Sequence, residues 1–238
     1  METGVVMQIS GLQKMTLLDY PGQIACTVFT GGCNLRCPFC HNASLVLPER
    51  TKSAMDVSEV LRFLEKRQGM LDGVAVTGGE PLLNADLAEF LRRVRALGYR
   101  IKLDTNGTFP ERLRALVEEG LVDRVAMDVK NAPLLYGKTV GVRDFDLTGV
   151  ERSKDYLLEG HVGYEFRTTV VRGLHTAESL LSAARWIEGA REYYLQQYRD
   201  SGDVIRPGAL GAFTDDEMRE LLERVRTVIP SAQLRGVG

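Results

Sequence analysis

Residues 31–42 read "GGCNLRCPFCHN" and hold three of the chain's four cysteines, Cys33, Cys37 and Cys40, in a C-x3-C-x2-C array. The array follows "IACTVFT" (24–30), a short apolar, β-branched run of the kind that forms a buried strand. Three thiolates on a loop at a strand end set the first constraint. A structural zinc ion closes its tetrahedron with four protein ligands. A disulfide framework takes an even number of cysteines in a secreted chain. Three close thiolates suit a cubane [4Fe–4S] cluster that keeps one iron free of protein. The zinc reading would need Cys26 or His41 as fourth ligand. Cys26 falls inside the strand, and His41 adjoins Cys40, an awkward bite on one tetrahedral ion.

Outward from this loop the chain alternates strand-like and helix-like runs. Strands are expected at 24–30, 73–79, 100–107, 122–130, 163–171 and 192–198. Helices are expected at 56–69, 86–98, 110–120, near 147–159, 176–189 and 214–229, with a short strand after the last. "DLAEFLRRVRALG" (86–98) is typical: Leu87, Phe90, Leu91, Val94 and Leu97 form one stripe, and Gly98 ends it. This alternation implies right-handed parallel β/α units. Periodicity leaves open a doubly wound sheet or an incomplete β/α barrel. Either architecture places functional residues at the C-terminal ends of the strands. The unusual residues fall there: the cysteine loop, Gly78-Gly79-Glu80, Asp104-Thr105-Asn106, Asp128 with Lys130, and Gln196-Gln197.

Composition narrows the function classes. A chain of 238 residues with a formal net charge of −2 offers no electrostatic grip on nucleic acid. No run reaches the roughly 18 apolar residues of a membrane span, and the N-terminus lacks a secretory pattern. Clustered cysteines suit a reducing compartment, so a cytoplasmic protein without nucleic-acid or membrane partners is expected.

The cysteine array, with Phe39 as the aromatic before Cys40, resembles the signature of the radical S-adenosylmethionine (SAM) superfamily. The resemblance implies an α/β fold, an incomplete (β/α)6 barrel of parallel strands with outer helices. It also implies one [4Fe–4S] cluster on Cys33, Cys37 and Cys40, whose fourth iron chelates S-adenosylmethionine, with Phe39 against the adenine. "TGGEP" (77–81), 37 residues after Cys40, stands where the superfamily keeps a Gly-Gly-Glu segment. There Gly78 and Gly79 allow close backbone approach, and Glu80 is expected to accept hydrogen bonds from the cofactor's ammonium group.

"DYPGQIACTVFTGGCNLRCPFCHN" (19–42), with its Asp-x-Pro-Gly turn and Cys-His-Asn ending, is similar to the start of glycyl-radical-enzyme activating proteins. "LDTNG" (103–107) and "MDVK" (127–130) resemble segments of the same subgroup. By that resemblance Asp104 and Lys130 hold the methionine end and ribose of the cofactor, Asp128 supports a monovalent cation with Asp104, and Arg167 faces the cofactor carboxylate. "KMTLLDYPG" and "YYLQQY" are most like the branch serving anaerobic ribonucleoside-triphosphate reductase. The implied partners are a glycyl radical enzyme and a flavodoxin or ferredoxin as electron donor. Larger activases carry further cysteines for accessory clusters; Cys26 alone cannot ligate one, so one cluster is the limit. A radical enzyme acting on a 7-deazaguanine precursor is the alternative, although that type has Asp-Thr or Asp-Ser where this chain has His41-Asn42. A non-enzymatic metal-binding protein is a further one. The expected layout is a single domain over 1–238, with an extension at 1–23, a β/α core at 24–198 and a C-terminal helix and tail at 199–238.

Overall fold

The computed structural model describes residues 7–47, 50, 55–200, 202–206, 208 and 210–237. Its backbone is one eight-stranded sheet whose strands lie side by side in chain order. These are β1 (Ile9–Thr16), β2 (Ala25–Thr30), β3 (Gly73–Gly78), β4 (Arg100–Thr105), β5 (Arg124–Asp128), β6 (Gly163–Val170), β7 (Tyr193–Gln197) and β8 (Gln233–Arg235). From β2 to β8 every pairing is parallel, while β1 runs antiparallel to β2. Among the described residues the edge strands β1 and β8 do not pair with each other, so the sheet stays open.

The connections are helical: α1 (Ala43–Val46), α2 (Val57–Glu65), α3 (Leu87–Ala96), α4 (Pro110–Glu118), α5 (Tyr136–Val140), α6 (Thr148–Leu158), α7 (Ala177–Trp186) and α8 (Asp215–Arg226). Local chemistry starts them where the sequence predicts. Asp56 caps α2 by accepting from Ser58 N–H at 2.7 Å. Thr176 with Ser179 and Thr214 with Glu217 form capping boxes on α7 and α8, each satisfying two otherwise orphaned N–H groups. Tyr99 closes the gap between layers, donating its hydroxyl to Leu64 O at 2.6 Å.

Side chains alternate along each strand. One set packs beneath the helices: Cys26, Val28, Val74, Val76, Ile101, Leu103, Val125, Met127, Phe166 and Leu195 all belong to the buried core. The other set is polar and faces a cavity: Thr77, Asp104, Asp128, Arg167, Thr169 and Gln196 line it. This is the incomplete (β/α)6 arrangement, with an extra strand at each edge. The residues at 1–23, expected as an extension, instead supply β1; residues 1–6 lie outside the described set. "ISGLQKMT" escapes a pattern search because irregularities interrupt its register and it lacks clean alternation. The C-terminal tail supplies β8, which extends the sheet beyond β7. No helix among the described residues is long and apolar enough to cross a membrane.

Candidate functional site

The strand ends meet around a cavity of about 380 Å³, within the roughly 300–1,000 Å³ usual for small-molecule sites. Cys33, Cys37 and Cys40 line it, as do Phe39, Gly78, Gly79, Asp104, Asp128, Lys130 and Arg167. Ten of the eleven expected site residues therefore share one space. The exception is Glu80.

Glu80 is fully buried and turned inward. Its Oε1 accepts from Leu82 N–H (3.1 Å) and Thr105 Oγ1 (2.8 Å), and its Oε2 accepts from Asn106 N–H (2.7 Å). Burial pushes its carboxyl up to about 7 despite these donors. Glu80 thus stands behind the cavity wall rather than among the residues lining it. Its carboxylate fastens the Gly-Gly-Glu segment to the Asp-Thr-Asn-Gly turn, so two motifs distant in sequence form one hydrogen-bonded unit. Gly78 and Gly79 supply the cavity wall.

The cysteine loop is held mainly through its backbone. Gly31 and Gly32 donate to Gln8 O (2.9 Å) and Leu45 O (2.8 Å), Gly32 O accepts from Glu80 N–H (2.8 Å), and Arg36 N–H donates to Val140 O (2.9 Å). Asn106 adds a side-chain tie, donating to Asn34 Oδ1 at 2.9 Å and reaching Cys33 Sγ at 3.9 Å. Burial pushes the Cys33 thiol up to about 11 and the Cys37 thiol up to about 12, and raises Cys40 as well. The positive charge of Lys130 opposes this rise at all three. A metal takes the thiolate form, so cluster loading releases the thiol protons.

Behind this loop a chain of charges crosses three strands. Asp104 Oδ1 accepts from Lys102 Nζ (2.5 Å) and its Oδ2 from Arg167 Nη1 (3.1 Å). Asp128 Oδ1 accepts from Arg167 Nε (3.1 Å) and its Oδ2 from Lys130 Nζ (2.9 Å). Burial works against the Asp128 charge, but Arg167 and Lys130 outweigh it and lower the carboxyl to about 2. Sequence reading missed Lys102, although period two along β4 places it on the face of Asp104.

Of the two glutamines, Gln196 lines the cavity. Gln197 points outward and donates to Phe213 O and Asp215 Oδ1, at the start of α8. His175 is buried, with Nε2 2.8 Å from Lys130 O, and braces the end of β5. His41 stacks on Tyr198 with ring centroids 5.3 Å apart, and its buried Nε2 has no hydrogen-bond partner.

The residues fit a [4Fe–4S] cluster and S-adenosylmethionine. Three soft thiols face one cavity, and the glycine wall is so close to the loop that a Cβ on Gly79 would stand 1.9 Å from Gly32 O. Among the described residues, no three Cys, His, Asp or Glu side chains converge on one metal ion; a cubane instead takes each thiolate on a separate iron. The implied monovalent cation does not fit. All four oxygens of Asp104 and Asp128 already accept from the chain's own cationic groups.

The family model of the radical SAM superfamily matches residues 27–160, more than half of the chain. A protein of Methanocaldococcus jannaschii, provisionally named a glycyl-radical enzyme activating enzyme, is 29% identical over 235 residues, covering 96% of each chain. Pyruvate formate-lyase-activating enzyme of Listeria monocytogenes is 35% identical over 139 residues, 54% of this chain and 55% of that protein. In fold, Streptococcus suis SuiB bound to S-adenosylmethionine is similar, with a TM-score of 0.67 and 16% identity over 86% of this chain and 48% of SuiB. The chain thus spans nearly all of the archaeal protein and about half the length of the other two. With its three-cysteine loop, strand-end cavity and parallel open sheet, this chain belongs to the radical SAM superfamily, enzymes that use a [4Fe–4S] cluster and S-adenosylmethionine.

Proposed function

We propose that this protein is an activase that uses S-adenosylmethionine to place a radical on a glycine of a glycyl radical enzyme, anaerobic ribonucleoside-triphosphate reductase in the first instance. The observation that carries the activase reading is similarity over 96% of both chains to a protein provisionally named a glycyl-radical enzyme activating enzyme; the choice of reductase rests on the likeness of "KMTLLDYPG" and "YYLQQY" to that branch. The open sheet supports it, because a strand-end cavity in a sheet that does not close into a barrel leaves room for a peptide loop.

Cys33, Cys37 and Cys40 would hold the cluster, which when bound supplies the electron that cleaves the cofactor's sulfur–carbon bond. Phe39 offers an apolar face for adenine. Lys102, Asp104, Asp128, Lys130 and Arg167 form a fixed lattice of three cations and two carboxylates that would orient the polar end of the cofactor without reorganising. Glycine suits the acceptor position. The hydrogen leaves its Cα with one electron, no general base is required, and the two flanking amides stabilise the radical left behind. The electron would come from a flavodoxin or ferredoxin in the cytoplasm.

The test combines the cluster-loaded protein, S-adenosylmethionine, a low-potential reductant and the intact reductase under anaerobic conditions. A doublet in electron paramagnetic resonance is expected, with deuterium from the reductase glycine Cα recovered in 5′-deoxyadenosine. A reductase that stays radical-free while a small metabolite stimulates cofactor cleavage would overturn the activase reading.

A further inference from the structure

Lys102 lies in the interior of the sheet, 1% exposed, two residues before Asp104 on β4. A buried ammonium group without a partner costs several kcal/mol, and its carboxylate choices are few. Glu165, the other acid near it, is already committed: Arg235 bonds both its oxygens at 2.7 and 2.9 Å, and Arg124 adds a third contact at 3.0 Å. Lys102 therefore binds Asp104, at 2.5 Å. Arg167 takes the other Asp104 oxygen and bridges to Asp128, whose remaining oxygen takes Lys130. Three fixed cations thus serve two carboxylates. An alkali metal ion needs oxygen ligands, and every oxygen of the pair faces a donor. A metal ion brought to Asp104 would also meet the Lys102 charge at short range.

We propose that Lys102 acts as a built-in monovalent cation, a positioning residue whose ammonium group orients and neutralises Asp104 so that S-adenosylmethionine binds without an alkali metal ion. This inference concerns the cofactor site and stands whichever substrate the radical attacks.

The test measures S-adenosylmethionine affinity of the cluster-loaded protein by anaerobic calorimetry at fixed ionic strength. The sole added monovalent cation is potassium, sodium or tetramethylammonium, the last too large to enter such a site. For the wild-type protein the three affinities should agree within about threefold. Lys102→Met should lose affinity about tenfold or more in tetramethylammonium and regain most of it in potassium or sodium. Lys102→Arg should remain indifferent to the cation. A lysine that merely supports the fold would give no alkali rescue. A wild-type difference above about threefold overturns the proposal, as does a Lys102→Met protein with full iron whose affinity is the same in all three salts. If Lys102→Met does not fold, equilibrium dialysis of the wild-type holoenzyme against rubidium decides. Rubidium bound at one per chain refutes the proposal, and no excess over the dialysate supports it.

Discussion

Replacing Gly79 with alanine tests whether the Gly-Gly-Glu segment serves as a close-packed wall for the cysteine loop. The added Cβ would stand 1.9 Å from Gly32 O, 2.6 Å from Gly32 C and 3.3 Å from the Cys33 Cβ. Real Cβ atoms do not come nearer than 3.0 Å to such neighbours, so the segments must part by about 1.1 Å. The clashing atoms are backbone, which cannot rotate away. The same opening strains two bonds that hold the segments together, Glu80 N–H to Gly32 O at 2.8 Å and Gly79 N–H to Thr30 O at 3.0 Å. Overpacking costs about 1–3 kcal/mol, and each lost hydrogen bond about 1 kcal/mol net. The expected destabilisation is about 3–5 kcal/mol, which lowers the Tm of a chain this size by roughly 10 °C. Two readouts on the anaerobically reconstituted protein follow it: thermal unfolding, and iron per chain, which should fall well below that of the wild type. Gly211→Ala is the control, since its Cβ meets nothing nearer than 3.6 Å; it should change stability by less than about 0.5 kcal/mol. A Gly79→Ala protein with full iron and a Tm within about 2 °C of wild type would refute the close-packing argument.

Asp128→Asn should destabilise the protein near neutral pH, with a gap from wild type that narrows in acid. The folded carboxyl sits at about 2 against an ordinary value of 3.8. Its depressed pKa contributes about 2 kcal/mol that is fully present above the ordinary value and lost as pH falls toward the folded one. Denaturant unfolding of both proteins between pH 6 and about 2 checks this, and a constant gap would contradict it. Among the cysteines, serine at Cys33, Cys37 or Cys40 should abolish cluster binding. Cys26→Ser should keep most of the iron, because Cys26 is fully buried on the helix-facing side of β2 and lines no part of the cavity. Its cost should appear as about 1–3 kcal/mol of stability from a buried hydroxyl, and iron below half the wild-type content in folded protein would show that Cys26 takes part in the cluster.

What the sequence determined by itself is whatever repeats locally or depends on residue type. The six central strands and their helices were legible because apolar periodicity and caps such as Asp56, Thr176 and Thr214 act within a few residues. The thiol array was legible for the same reason, since three cysteines within eight residues must share a neighbourhood. Strand-end logic then gathered Gly79, Asp104, Asp128 and Lys130 at one mouth, where the structure places them; Arg167, inside β6, came only from the family resemblance and lines the same cavity.

Tertiary structure decided the partners. β1 exists because β2 offers a free edge, and its sequence does not announce it; the short strand expected after α8 finds its place as β8 on the free edge of β7. Whether Gln196 or Gln197 faces the cavity depends on a one-residue register that composition does not encode. Glu80 looks in sequence like a group facing the cavity, yet it is buried and its carboxylate accepts from Leu82, Thr105 and Asn106. Asp104 and Asp128 read as a pair of oxygen ligands until Lys102, Lys130 and Arg167 are seen to donate to all four of their oxygens. A carboxylate's role follows from all the charges that reach it: Lys102 and Lys130 arrive from two residues away, but Arg167, which bridges the pair, comes from a strand separated from them by whole helices in sequence.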